Sequence, residues 1–269
     1  MTQTIYGPLI LGGSGRVGRA LAAQWPKDGP VLWQTRQGGP FAWDILAAPA
    51  PDLPHGITGI IALAGTTDPA RLADNTALAL AAADLGARAD LPVLLASSQA
   101  VYGRPDAPVS ESDPARPDTP YGRAKHDMEL AVAGQSHVTC LRIANVAGCD
   151  GLLINAARQD FVTLDQFPDG TGPRRAYIGP AQLGHVLRAL IARAEPLPQV
   201  LNVAQPGLVQ MADVLDAADV QWGWKTAGAG ALPALDLDCA ALTALIRVPA
   251  ATAQGIVADA RASGWGLSR

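Results

Sequence analysis

Pro8-Leu9-Ile10-Leu11-Gly12-Gly13-Ser14-Gly15-Arg16-Val17-Gly18 decides the fold of this 269-residue chain. The apolar run from Pro8 to Leu11 reads as a short buried strand. It runs into glycine, and Arg16 to Gln24 then has helical character, stopping before Trp25-Pro26. Gly12, Gly15 and Gly18 stand three apart across that strand-to-helix junction. A turn of this composition lets backbone amides approach a pyrophosphate closely. The helix start adds unpaired N–H groups and the positive end of its dipole, and Gly18 lets the helix pack near the sheet. The plain alternative is a tight turn that holds no ligand.

The same alternation continues outward. Val31 to Thr35 and Ile57 to Ala64 read as the next strands, and Asp68 to Gly86 as a long Ala- and Leu-rich helix with Pro69 in its first turn. Pro92 to Ser97 is a further strand, Tyr121 to Ala133 a helix with Gly134 as its stop, and Val138 to Ile143 a strand again. Strands apolar throughout, alternating with helices, indicate an α/β fold with a parallel sheet covered on both faces. Past Gly148 the pattern loosens. Asp169 to Pro173 is a turn-rich break, Pro180 to Ala194 looks helical, and Val200 to Val203 is a late strand. The remainder, with Gly228 to Ala231 as a loop, should form a small lobe. Ala47 to Pro54 reads as a surface loop, and no repeat of solenoid period is present.

Two more segments give the glycine turn a chemical context. Ser97-Ser98-Gln99-Ala100-Val101-Tyr102-Gly103 ends one strand, and Tyr121-Gly122-Arg123-Ala124-Lys125 opens a helix. Tyr121 and Lys125 are four apart and share a helix face. An unperturbed tyrosine titrates near ~10, too high for an efficient base at neutral pH. A nearby ammonium would lower it, and Lys125 could also hold a cofactor ribose. The Ser98 hydroxyl could hydrogen-bond a substrate oxygen as charge develops there. The set points to hydride transfer coupled to proton transfer at a carbon–oxygen centre. Taken singly, each residue has an ordinary structural reading: a strand-end serine, a packing tyrosine, a solvated lysine.

The end of the second strand bears on the cofactor. A carboxylate there would hold the adenine ribose 2′-OH, but this chain has Thr35-Arg36. Arg36 could pair with a 2′-phosphate, which favours NADP over NAD. Asp44-Ile45 follows at a distance suited to the adenine edge.

Composition closes off other classes. The formal net charge is −4, and no basic stripe suggests nucleic acid or an anionic membrane. Cys140, Cys149 and Cys239 show neither metal nor disulfide spacing, and His55, His126, His137 and His185 do not pair at ligand spacing, so no metal site is expected. Met1 to Leu11 lacks a charged, signal-length apolar segment, and a cytoplasmic location is the default expectation.

These motifs, in this order, resemble the extended short-chain dehydrogenase/reductase superfamily, and within it the NAD-dependent epimerase/dehydratase family. The resemblance covers most of residues 8 to 205. It embraces the glycine loop Gly12-Gly13-Ser14-Gly15-Arg16-Val17-Gly18, the segment Ala62-Leu63-Ala64-Gly65 that would pass under the cofactor, and Asn75 early in the next helix. It continues through Ser97-Ser98-x-x-Val101-Tyr102-Gly103, Glu111, Pro114, Pro117, Pro120, Tyr121-Gly122-x-x-Lys125 and Leu141-Arg142-x-x-Asn145-Val146-x-Gly148.

The resemblance implies a Rossmann-like, doubly wound parallel sheet with a small C-terminal substrate lobe. Residues 1–148 would form the NAD(P)-binding domain, with roughly 175–205 returning to it, and 149–269 mainly the lobe. It further implies Ser98, Tyr121 and Lys125 as the catalytic set, a small-molecule substrate near Asn145, and a homodimer formed through the Tyr/Lys helix and the helix before it. The chain departs from the family at Arg174 to Gln182, where an acidic pair is missing, and in the short stretch from Gly148 to Arg175. Both put nucleotide-sugar epimerisation in doubt and leave the cofactor chemistry intact. Arg174 or Arg175 could still bind an anionic substrate, and Trp222 and Trp224 could wall a pocket or belong to the lobe's core. Gln99 and Ala100 stand where related dehydratases carry acids, which argues against dehydration. Beside an oxidoreductase or epimerase, the other class is a cofactor-binding regulatory or scaffold protein without catalysis.

Overall fold

A computed structural model describes residues 7–27 and 29–266; most of the N-terminal segment weighed above as a leader lies outside the described residues. In chain order the elements are β1 (Leu9–Leu11), α1 (Arg16–Gln24), β2 (Leu32–Thr35), β3 (Phe41–Ala42), β4 (Ile60–Ala62), α2 (Asp74–Ala89) and β5 (Val93–Ser98). Then come α3 (Pro120–Ala131), β6 (Val138–Ile143), β7 (Asn145–Val146), α4 (Gly151–Ala156), β8 (Phe161–Gln166), β9 (Arg174–Ile178), α5 (Pro180–Ile191) and β10 (Val200–Val203). The last are β11 (Leu208–Gln210), α6 (Met211–Ala217), β12 (Gln221–Thr226), β13 (Ala234–Leu235), α7 (Ala240–Leu245) and α8 (Ala253–Ala262).

Seven strands form one sheet in the order β10-β6-β5-β4-β1-β2-β3, every pair parallel. The chain builds outward from β1 to β3, then returns to build the other half from β4. The order therefore reverses between β1 and β4, and ligands of such sheets bind in the crevice at that point. This is the doubly wound α/β fold expected from the sequence.

Alternation within the strands separates two cores. Leu9 and Leu11 pack with Ala79, Ala82, Leu85 of α2 and Met128 of α3. Ile10, Ile61, Leu94 and Leu141 pack with Leu21 of α1 and Leu183, Val186, Leu187 and Leu190 of α5. A third core joins Leu152 and Leu153 of α4, Val162 and Leu164 of β8, Val214 and Leu215 of α6, and Ile256 and Val257 of α8. Smaller sheets serve it: β9 pairs with β11, β13 and β7, and β8 pairs with β12.

One helix differs from its reading. The segment from Asp68 begins as a 3-10 turn over Pro69–Arg71, capped by the Asp68 carboxylate on the Ala70 amide at 3.0 Å. The α-helix starts only at Asp74 and passes through Gly86 to Ala89, where Asp90 turns left-handed with φ 53°. Gly86 is there for close packing: a Cβ would stand 2.3 Å from Val93 Cγ2. By contrast α3 begins at its proline as read, with Thr119 Oγ1 accepting from the Gly122 amide at 3.0 Å. Gly122 lets this turn approach the strand end, since a Cβ would lie 2.4 Å from the Ala100 carbonyl oxygen.

Candidate cofactor and catalytic site

The glycine loop is built by backbone geometry. Gly12 has φ +85°, and a Cβ on it would meet the Ala64 nitrogen at 2.6 Å. A Cβ on Gly18 would meet the carbonyl oxygens of Gly12 and Gly13 at 2.5 and 2.6 Å, so α1 can follow the loop this closely only with glycine there. Gly15 caps α1 without a side-chain hydrogen bond, and no acid stands in the first turn. The leading N–H groups of the helix are thus left for a ligand with negative charge. Ser14, Gly15 and Arg16 are exposed and Val17 is half-buried. This cradle fits a dinucleotide's pyrophosphate.

Gln34 was not singled out in the sequence, yet it holds the loop. Its Oε1 accepts from the Gly12 amide at 2.8 Å, and its Nε2 donates to the Trp43 carbonyl at 2.6 Å. A buried amide in the middle of an apolar strand, as Gln34 is in β2, was the available signal. Beyond it, Thr35 Oγ1 closes a turn on the Gly38 carbonyl at 2.5 Å. Arg36 and Asp44 are exposed at the same end of the sheet, and Ile45 is half-buried.

Leu63, Ala64 and Gly65 follow β4 across the switch point. Asn75 is buried, and its amide is spent on this loop. Oδ1 accepts from the Thr66 amide at 3.1 Å, while Nδ2 donates to the Thr66 and Leu72 carbonyls at 3.0 and 2.9 Å. Asn75 therefore shapes the segment that follows β4 at the switch point. Gly65 lies between it and Lys125: a Cβ would stand 2.9 Å from Asn75 Oδ1 and 3.3 Å from Lys125 Nζ.

Ser98, Tyr121 and Lys125 converge where β5 ends and α3 begins. Ser98 Oγ accepts from the Ala100 amide at 3.2 Å, the ordinary strand-end role, and also acts on the Tyr121 phenol through a hydrogen bond. Tyr121 is half-buried. Burial raises its pKa above the ordinary value, while Ser98 and the Arg16 guanidinium act to lower it. Lys125, expected from its spacing to lower this phenol, is not among the groups that act on it. The lysine instead turns inward, Nζ donating to the Ala96 carbonyl at 2.8 Å and approaching Met128 Sδ at 3.7 Å. Arg16, from the glycine loop, is the cation that acts on Tyr121.

Lys125 is buried and its ammonium is pushed down to about 8, chiefly by burial, against the raising influence of Cys140 and Glu129. A lysine whose folded pKa lies below its unfolded value costs stability while both states are charged. That cost fades as pH rises from about 8 toward 10.5, because there the unfolded chain holds more protons. We therefore expect wild type to gain stability relative to Lys125→Met across that interval, by at most about 1.4 kcal/mol per pH unit. Urea unfolding of both proteins at several pH values checks this; a constant difference would mean that the buried ammonium titrates normally.

Behind Ser98 lies a polar network. Glu129, one turn after Lys125 on α3, accepts from Ser97 Oγ at 2.5 Å and pairs with Arg142 on β6, with Nη2 to Oε2 at 2.7 Å. Arg142 in turn covers the Tyr102 ring, 4.6 Å from its centroid. Tyr102 donates to Asn202 Oδ1 at 2.8 Å, and Glu111 accepts from the Asn202 amide at 2.8 Å. A second contact runs from Gln99 Nε2 to Asn145 Oδ1 at 3.0 Å, and the buried hydroxyl of Tyr177, which stands opposite Asn145 across the β7–β9 pairing, has no hydrogen-bond partner among the described residues. Burial pushes Asp150 up to about 6 and the Tyr177 phenol well above its ordinary range.

Arg174 and Arg175 stand apart on β9, near Pro233; Arg175 Nη1 donates to the Arg174 carbonyl at 2.8 Å. Among the described residues no hydrogen bond or ion pair joins them to Ser98, Tyr121 or Lys125. Trp222 and Trp224 meet edge to face at 4.7 Å on β12, with Trp222 tied to Asp216 and Trp224 exposed beside Gly172. Neither lines the cavity that opens beside Arg16; Trp265, which was not singled out, does. The three cysteines are free, and burial raises each: Cys149 to about 11, Cys140 and Cys239 to about 12. Among the described residues no group of His, Cys, Asp or Glu is placed to hold a metal ion, and no helix is long and apolar enough to cross a membrane.

Comparison with known proteins gives a match of residues 55–159 to a family model. The model is that of the NAD dependent epimerase/dehydratase family, and this stretch is similar to it. The resemblance read from the sequence is borne out by this match, which contains Ser98, Tyr121 and Lys125. No curated protein matches the chain. Among solved structures, the NAD-dependent NDP-hexosamine 5,6-dehydratase TunA of tunicamycin biosynthesis superposes with a TM-score of 0.79 at 22% identity, covering 98% of each chain. MoeE5 in complex with UDP-glucose and NAD gives 0.75 at 19%, covering 98% of this chain and 100% of its own. The UDP-glucose 4-epimerase of Brucella ovis in complex with NAD gives 0.75 at 19%, covering 97% and 98%. At these identities the likeness is one of fold.

Proposed function

We propose that this protein is a nicotinamide-dinucleotide-dependent oxidoreductase or epimerase acting at a hydroxyl or carbonyl carbon of a sugar-like small molecule, with Tyr121 as its acid/base. The observation that carries this is the meeting of Ser98, Tyr121 and Lys125 beside a glycine loop whose helix start has no side-chain cap. The bound cofactor supplies hydride exchange. The chain's own residues do the rest. The leading amides of α1, from Arg16 to Gly18, would take the pyrophosphate, and Lys125 would hold the cofactor ribose once its ammonium leaves the Ala96 carbonyl. Ser98 fixes the substrate oxygen, and Tyr121 gives or takes its proton. Gln99 and Ala100, the residues following Ser98, carry no carboxylate, which speaks against dehydration.

The complete set also speaks against a non-catalytic scaffold, which would have no use for Ser98, Tyr121 and Lys125 together. Residues 149–269, apart from about 175–205, serve in this reading as the lobe that closes over the substrate. A homodimer through α2 and α3 is supported by the exposure of Leu80 and Leu130, at 43% and 59%. Three free thiols suit a reducing, cytoplasmic setting.

NADP remains our proposal for the cofactor over NAD, on Arg36. Fluorescence titration with NADPH and NADH, with a check for dinucleotide that co-purifies, tests the whole reading. Retained NAD(H) and interconversion of a sugar nucleotide would mark an epimerase; exchangeable NADPH would mark a reductase. Binding of neither sinks the proposal. In the same titration Arg36→Ala is expected to shrink any preference for NADPH by about 10- to 100-fold, the value of a charge-assisted hydrogen bond. An unchanged ratio removes Arg36 from the site.

A further inference from the structure

Beside the glycine loop, α1, the chain leaving β7, the end of α4 and the segment after α8 enclose a cavity of about 410 Å³. Arg16, Arg19 and Arg158 line it. Arg16 and Arg19 are one turn apart on α1 and so share a face; Arg158 comes from just beyond α4. Among the described residues none of the three has a carboxylate partner. Arg16 Nη2 lies 3.4 Å from Thr67 Oγ1, and Arg19 donates to the Ser14 carbonyl.

The walls add no compensating negative charge. Cys149 is the thiol among them, and burial pushes it up to about 11, so it is neutral at physiological pH. The next acid along the chain, Asp150, directs Oδ2 into the first turn of α4, toward the amides of Leu152 and Leu153 at 3.0 and 3.4 Å. Trp265 also lines the cavity, fixed by its indole N–H to the Leu153 carbonyl at 2.7 Å. It packs over Gly148, where a Cβ would lie 3.1 Å from Trp265 Cβ. Three guanidinium groups lining one concave space with no acid among the walls make it positive, and their fork geometry matches phosphate.

We propose that this cavity, which adjoins the glycine loop at Arg16 but lies outside its backbone cradle, is a phosphate-binding site that holds a phosphoryl group carried by the substrate. Arg16 links the cavity to the glycine loop, because it borders the cavity and is the first residue of α1 after Gly15. The substrate class becomes a phosphorylated sugar-like molecule whose phosphate sits between α1 and α4 while its reacting carbon faces Ser98 and Tyr121. That assignment of the substrate rests on the functional reading above; the anion site itself does not.

Calorimetric titration of inorganic phosphate into the full-length protein, with and without saturating NADH, tests it. Phosphate is expected to bind in both cases, and Arg158→Ala to weaken binding by about tenfold or more, the scale of one lost charge-assisted contact. Arg19→Ala should do the same, and thermal unfolding verifies that both variants are folded. No phosphate binding by the wild type, equal binding by Arg158→Ala and Arg19→Ala, or loss of binding on NADH saturation overturns the proposal; in the last case the anion was in the cofactor loop. A protein that binds phosphate through Arg158 but never NADH keeps this site and defeats the functional reading instead. Glucose 1-phosphate and glucose distinguish the sources. Tighter binding of the former than of phosphate, with none by glucose, assigns the phosphoryl group to a substrate. Equal binding of the two phosphates leaves the anion site intact and assigns it to free phosphate, which overturns the substrate assignment.

Discussion

Replacing Tyr121 by phenylalanine is expected to lower turnover by about 10²- to 10⁴-fold, the usual worth of a positioned proton-transfer group, with cofactor affinity near wild type. The hydroxyl is the only atom group removed, and the aromatic ring keeps its place at the start of α3. Burial raises the Tyr121 phenol, so at neutral pH it carries its proton. Reduction of a carbonyl, which needs that proton donated, should therefore hold its rate through neutral pH and decline only as the medium becomes strongly alkaline. Oxidation of an alcohol needs the phenolate and should gain rate with rising pH. Steady-state rates over a pH series, with NADH affinity measured alongside, check both statements. Wild-type turnover by the Phe variant would remove Tyr121 from the chemistry. Weakened cofactor binding with normal turnover at saturation would make it a binding residue instead.

The second large effect is on stability. Glu129 and Arg142 form a paired charge with side chains only 6% and 7% exposed. Removing one member leaves the other buried without compensation, at a cost of about 3–5 kcal/mol. Glu129→Ala should lose that much in urea unfolding. It also releases Ser97, and Arg142 already has one buried nitrogen, Nη1, without a hydrogen-bond partner. Replacing both members with apolar residues of similar size, as in Glu129→Leu with Arg142→Met, should recover most of the loss, because the desolvation of both charges disappears together. A single variant as stable as wild type would show that water reaches the pair.

The first half of the chain was legible because its signals are local and backbone-driven. The glycine spacing, the all-apolar strands and the proline before Tyr121 each act within a few residues, and β6 falls at the residues read for it, as β10 does later in the chain. The start of α2 was read too early because Asp68-Pro69 is a good helix opening, and a 3-10 turn uses the same capping chemistry. The region after Gly148 was harder. α4 spans six residues and β13 two, too short for a periodic pattern to declare itself. β12, with Trp222 and Trp224, mixes exposed and half-buried positions in one strand. The site shows the same divide. Ser98, Tyr121 and Lys125 could be named from spacing, but the direction of the Lys125 side chain could not. The cavity of Arg16, Arg158 and Trp265 draws on positions far apart in sequence, and only the folded chain brings them together.

The placement of β10 has a consequence for how the chain is made. β6 is buried along its whole length and pairs with β5 on one side and β10 on the other. β10 comes only after β7, α4, β8, β9 and α5 have been synthesised. Until then β6 is an open apolar edge, the kind of surface that invites pairing with another chain. Parallel pairing across so long a separation is slow to form. The interval between emergence of Ile143 and of Val203 from the ribosome is therefore when this protein is most exposed to misassembly, and when a chaperone would matter most.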